Sequence, residues 1–173
     1  NIDYWDENNA DNENLDESLS IFFMQRFKDT SNINLNIFAH GEGKDDDVTR
    51  GNLSAPFIKK GNGLTADFGY NSRIFGKWQV DLGTHIESKD YLEFTERSTN
   101  VSTGIRYFPT DDLRFYLRLS HKKTNDWFIW RSDNHYATYQ SKNTTIKLNM
   151  RWYPDDRQEL QVKLEAVAFR NQD

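Results

Sequence analysis

The sequence predicts an all-β protein: an antiparallel up-and-down transmembrane β-barrel, present as a fragment of about eight strands from a larger barrel. Three observations lead there. Apolar and polar residues alternate with a period of two along segment after segment, the signature of strands with one dry and one wet face. Charge collects on one parity and is nearly absent from the other, as it is when one face meets lipid and the other a polar lumen. The connections sort into alternating short and long sets, the habit of barrels with short periplasmic turns and long extracellular loops. The bulk numbers do not oppose this. Mean hydropathy is -0.90 and 28% of residues are charged, but a barrel strand needs only about 9–11 residues, half of which can be polar.

Residues 1–17 are expected to form an acidic extracellular loop preceded by the tip of a strand at Ile2 to Trp5. The stretch carries Asp3, Asp6, Glu7, Asp11, Glu13, Asp16 and Glu17 and neither Lys nor Arg. Residues 18–173 are expected to form the barrel, with strands at 18–27, 32–40, 63–71, 77–87, 99–108, 113–122, 144–153 and 158–169. In the second of these, Ile33, Leu35, Ile37 and Ala39 oppose Asn32, Asn34, Asn36 and His40. In the third, Leu64, Ala66, Phe68 and Tyr70 oppose Thr65, Asp67, Gly69 and Asn71. Trp78, Val80, Leu82 and Ile86 continue the apolar parity in the fourth, then Leu113, Phe115, Leu117 and Leu119 in the sixth. Ile146, Leu148, Met150 and Trp152, and finally Leu160, Val162, Leu164, Ala166 and Ala168, complete it.

Short turns are expected at Lys28 to Ser31, Asn71 to Gly76, Pro109 to Asp112 and Pro154 to Arg157. Pro109 and Pro154 suit such turns, where a fixed φ helps and a missing N–H costs nothing. Long loops are expected at 41–62, 88–98 and 123–143. Phe27, Tyr70, Trp78, Tyr107 and Trp152 all fall beside short turns and are expected to form an aromatic girdle at the lipid–water boundary. With eight strands and short turns on the inner side, both Asn1 and Asp173 should lie at the long-loop rim.

The wet parity is where function is expected. Arg106, Arg114, Arg118, Lys147, Arg151 and Lys163 should form a basic lumen surface, and Asp67, Asp81 and Glu87 an acidic one; charged rings facing a pore set ion preference. No catalytic residues are expected. Asp81 and His85 share a strand but lie roughly 13 Å apart, too far for an acid–base dyad. His40, His85, His121 and His135 lack metal-site spacing, so no metal and no cofactor are expected. Asp45, Asp46 and Asp47 read as a solvated loop. There is no cysteine, and no phosphate-binding loop or serine-hydrolase motif. Trp127, Phe128, Trp130, Tyr136 and Tyr139 read as an upper aromatic belt and the walls of a protruding hairpin.

One resemblance adds to this. The run Thr103-Gly104-Ile105-Arg106-Tyr107-Phe108-Pro109, the segment Gln158-Glu159-Leu160-Gln161-Val162-Lys163-Leu164 and the order of hairpins resemble the C-terminal outer-membrane barrel of the bacterial domain-of-unknown-function 5916 family. The resemblance implies a carbohydrate-binding-like β-sandwich ahead of the barrel and further strands beyond Arg170. It carries over no catalytic residue.

The function expected is therefore a channel, transport pore or membrane anchor in the outer membrane of a Gram-negative bacterium, not an enzyme. Outer-membrane lipid is the expected partner, with a carbohydrate or small anionic solute and other membrane-complex subunits as further candidates and nucleic acid excluded. The first alternative is a soluble all-β carbohydrate-binding module using loop aromatics. The second is an enzyme at the outer-membrane rim, which the missing dyad disfavours.

Overall fold

The computed structural model describes residues 1–8, 14–45, 58–91, 94–132, 135–155 and 157–172. Its strands are β1 (Ile2–Asn8), β2 (Asn14–Arg26), β3 (Asn32–His40), β4 (Gly43–Asp45), β5 (Ile58–Asn71), β6 (Trp78–Tyr91), β7 (Phe94–Tyr107), β8 (Leu113–Ser132), β9 (His135–Asp155) and β10 (Gln158–Gln172). They form one antiparallel sheet in the order β1-β2-β3-β5-β6-β7-β8-β9-β10, with the short β4 paired to β5. The all-β, antiparallel, up-and-down architecture agrees with the sequence. Among the described residues the sheet is not closed into a barrel: β1 and β10 are its two edges.

The strands run longer than the alternation indicates. Residues 88–98 and 123–143, expected as long loops, are mostly strand. Tyr91 pairs with Phe94, and β8 and β9 remain paired up to Ser132 and His135. The period of two fades in 88–98 because both faces carry polar residues, as in Thr95, Glu96, Arg97 and Ser98, and in 123–143 because the run Trp127-Phe128-Ile129-Trp130 is apolar on both faces and follows a bulge. Backbone pairing persists without a hydrophobic pattern to report it.

Residues 1–17 contain β1 and the start of β2. Ile2 and Tyr4 lie opposite Ile21 and Leu19, so the apolar parity extends to the sheet edge. Asn1 consequently sits at mid-height, its ammonium donating to the Phe22 carbonyl at 3.0 Å, and not at the long-loop rim where the strand count placed it. Asp173 lies outside the described residues.

Register joins each parity into one continuous face. Ile37 lies opposite Ile21 and Ala66; Ala66 lies opposite Ile86; Leu117 lies opposite Ile105 and Leu148; Leu148 lies opposite Leu164. This apolar face is bare. Leu64, Leu82, Ile86, Val101, Leu117, Ile146 and Leu164 are all exposed. Among the described residues the buried hydrophobic ones are Tyr91 and Phe128, with Phe94 against them. Ring centroids stand 5.4 Å apart for Tyr91–Phe94, 5.0 Å for Tyr91–Phe128 and 4.8 Å for Phe94–Phe128. A β-bulge between Thr124 and Trp127, with Asp126 at φ 53°, bends β8 just before Phe128.

Short turns close the opposite end. Phe75 and Trp78 exchange backbone hydrogen bonds of 2.9 and 3.1 Å across Gly76-Lys77. Gly76 supplies the positive φ (61°) that a two-residue type II′ hairpin turn needs at its first central residue.

Candidate functional site

The polar parity forms one electrostatically divided surface. Asn32, Asn71, Asp81, Gly104, Arg118, Lys147 and Glu165 are successive cross-strand neighbours on a single rung from β3 to β10. One step lower, Gln79, Arg106, Tyr116, Asn149 and Lys163 form the next rung. Arg114 lies opposite Arg151 below that. The register thus gathers Arg106, Arg114, Arg118, Lys147, Arg151 and Lys163 on β7 to β10, and Asp67, Asp81 and Glu87 on β5 and β6.

Glycine makes room in the middle of this surface. A Cβ on Gly104 would collide with the Asp81 carboxylate, one on Gly69 with the Asn34 amide, and one on Gly83 would stand 2.9 Å from Ser102 Oγ. The result is an open depression of about 620 Å³ whose lining includes Asn36, Asp67, Asp81, His85, Arg106 and Arg118. Asp81 is its anchor, buried at 9% exposure. Tyr116 Oη donates to Asp81 Oδ1 at 3.2 Å, and Arg106 Nη1 stands 3.4 Å from Oδ2. The Arg106 guanidinium also lies 4.6 Å from the Tyr116 ring centroid, a cation–π contact, and donates to Gln79 Oε1 at 3.3 Å. Arg118 donates to Ser102 Oγ at 2.9 Å.

A second cluster is one that the sequence reading passed over. His85 does not pair with Asp81 along its own strand but with Asp67 across to β5, Nδ1 to Oδ1 at 2.7 Å. Its Nε2 faces Glu87 Oε2 at 3.9 Å, and Lys89 holds Glu87 Oε1 at 2.9 Å. The signal was available only through register: a one-residue slip would have sent Asp67 to the other face. Among the described residues no group of His, Asp and Glu has the arrangement of a metal site.

The basic half is only partly neutralised. Lys147 pairs with Glu165 at 3.1 Å and Arg151 Nε with Glu159 at 3.7 Å. Arg114 lies 5.8 Å from the Tyr153 ring centroid. Arg114 opposite Arg151 and Arg118 opposite Lys147 place like charges face to face, which costs stability unless an anion or solvent screens them. The polar character weakens towards β1. Trp5, Phe22, Met24 and Phe38 share this parity there, a departure from the alternation seen elsewhere.

Tyr70, Trp78, Tyr107 and Trp152 lie on the apolar face at its short-turn end, and Trp78 stacks on Tyr107 at 4.2 Å. Phe27 lies in the adjoining β2–β3 turn and is exposed. At the far end Trp127 pairs with Tyr139 and Trp130 with Tyr136 in the β8–β9 hairpin. The side chains of Trp130, Tyr136 and His135, and residues Asp46 and Asp47, lie outside what the structure describes. Phe128, counted with the upper aromatic belt, is buried. Its N–H donates to Glu96 Oε2 at 3.0 Å, and burial pushes the Glu96 carboxyl above its ordinary range.

No family model matches the chain, and neither a curated protein nor a solved structure matches it.

Proposed function

We propose that this sheet is part of the wall of an outer-membrane β-barrel, with its apolar face against lipid and its divided polar face lining the lumen. The observation that carries this is the exposed apolar face, continuous across all nine strands of the sheet path. Such a surface is far larger than the few hundred Å² that a soluble monomer tolerates. Its height fits a bilayer. From Trp78 to Ile86 the band spans about 27 Å along the strand, or about 19–22 Å at the usual 35–45° tilt, close to the ~25 Å of barrel proteins. Aromatics mark its short-turn border, and Ser88, Lys123, Lys142 and Arg170 end it on the other side. The resemblance to the 5916 family implies a barrel of the same kind.

The lumen chemistry favours small anions. Among the described residues Arg114, Arg118 and Lys163 make no ion pair and raise the local anion concentration, while on β5 and β6 Glu87 is paired with Lys89, Asp81 with Arg106, and Asp67 is hydrogen-bonded to His85. The reading is therefore an anion-preferring pore, or a membrane anchor if the full barrel is filled. Planar-bilayer recordings of the full-length protein test it. Anion selectivity that falls when Arg114 and Lys163 are changed to Gln supports the pore, inserted but silent protein supports the anchor, and clear cation selectivity contradicts both.

A further inference from the structure

The apolar face ends, on its long-hairpin side, in a row of cations. Lys123 on β8 lies opposite Lys142 on β9, and Lys142 lies opposite Arg170 on β10. One step below, His121, Thr144 and Ala168 occupy the same face, followed by Leu119, Ile146 and Ala166 of the apolar band. Arg97 of β7, opposite Asn125, adds a fourth cation one step above Lys123. Among the described residues none of the four makes an ion pair, although Asp126 lies in the bulge just beyond. Three cations directly opposite one another cost stability when nothing lies between them. The same rim is acidic at the other edge of the sheet, where Asp6 lies opposite Glu17.

We infer that Lys123, Lys142 and Arg170, with Arg97 above them, bind the phosphate groups of anionic lipid headgroups at the outer edge of the apolar band. The inference rests on the membrane reading given above. Three adjacent strands set the three side chains across about 10 Å, the width of a single phosphorylated headgroup with its neighbours. The lysines offer point charges, and the Arg170 guanidinium offers a two-pronged fork that matches two phosphate oxygens. The acyl chains of the same lipid would run down over Leu119, Ile146 and Ala166. Free phosphate in solution would lack that apolar contact, so the site selects the lipid over the ion.

The test uses the full-length protein in neutral detergent micelles. Its thermal transition is followed with phosphatidic acid, with diacylglycerol of the same chains, or with inorganic phosphate. Phosphatidic acid should raise the transition, and the other two should not. The Lys123→Gln/Lys142→Gln/Arg170→Gln variant should bind phosphatidic acid on the order of 100-fold more weakly, about fivefold per cation removed. A Lys123→Arg/Lys142→Arg variant, which retains the charge, should bind it normally, so lost binding cannot be put down to the substitutions alone. Equal shifts with phosphatidic acid and diacylglycerol would overturn the inference, as would an equal shift with inorganic phosphate. A protein that is monodisperse without detergent would overturn the membrane reading itself, a distinguishable failure.

Discussion

Gly104 lies directly beneath the Asp81 carboxylate, which rests where a side chain at position 104 would otherwise stand. The glycine thereby permits the hydrogen bond from Tyr116 and the contact with Arg106 that hold the most buried acid of the polar face. Gly104→Ala should push the carboxylate off this seat. A hydrogen bond to a charged group contributes about 1.5–3 kcal/mol, so a loss of about 1–3 kcal/mol is expected in denaturant unfolding. In an Asp81→Ala background the same change should be nearly neutral, and the difference is the coupling energy. An equal cost in both backgrounds would show that the glycine serves something else.

The half-buried carboxyl of Glu96 predicts a pH effect in the long hairpins. Burial raises its pKa, more than the Phe128 N–H lowers it. The folded state therefore holds the proton more tightly than the unfolded state. Stability is fully present below the unfolded pKa and declines as pH rises through the folded one. Glu96→Gln keeps an acceptor for Phe128 without the charge. Hydrogen exchange at the Phe128 amide should be slower in the variant than in the parent at pH 7, and the two should converge near pH 4. Faster exchange in the variant at pH 7 would contradict this.

Thr30 adopts φ 73° in the β2–β3 turn, a left-handed conformation that strains a β-branched residue. The turn is held by Asp29, whose Oδ1 accepts from Ser31 N–H at 3.0 Å and Ser31 Oγ at 2.6 Å. The Ser31 hydroxyl and amide also keep the Asp29 carboxyl below its ordinary range. Thr30→Gly should stabilise the fold by about 1 kcal/mol, the left-handed penalty less the added chain entropy. Asp29 contributes above its unfolded pKa and loses its contribution as pH falls through the lowered folded value. The Thr30→Gly gain does not depend on that carboxylate, so it should persist in acid. Unfolding midpoints of the parent and the variant at neutral pH and in acid check it.

The strand interiors were legible because one face is apolar enough to impose a period of two; β3 has the limits that its alternation indicates. The hairpin ends were not. Around Glu96 and Lys123 both faces are wet, so a paired strand and a solvated loop have the same composition. The charged residues of the polar face could be named from parity alone, as Arg118 and Lys147 were. Their partners could not. Asp67 with His85, and Asp81 with Gly104 and Tyr116, depend on how strands slide past one another, which no single segment encodes.

The most direct measurement compares two neighbouring substitutions of opposite face in the full-length protein. Leu117 belongs to the exposed apolar face and Arg118 to the polar rung beside Gly104 and Lys147. If the apolar face meets lipid, Leu117→Arg puts a charge near mid-bilayer at a cost of about 2–4 kcal/mol. Folding into phospholipid vesicles, read from heat-resistant electrophoretic mobility, should fail or weaken sharply for Leu117→Arg and stay near normal for Arg118→Leu. Normal assembly of Leu117→Arg with failure of Arg118→Leu would show that the polar face, and not the apolar one, is turned to the membrane or that no membrane is involved.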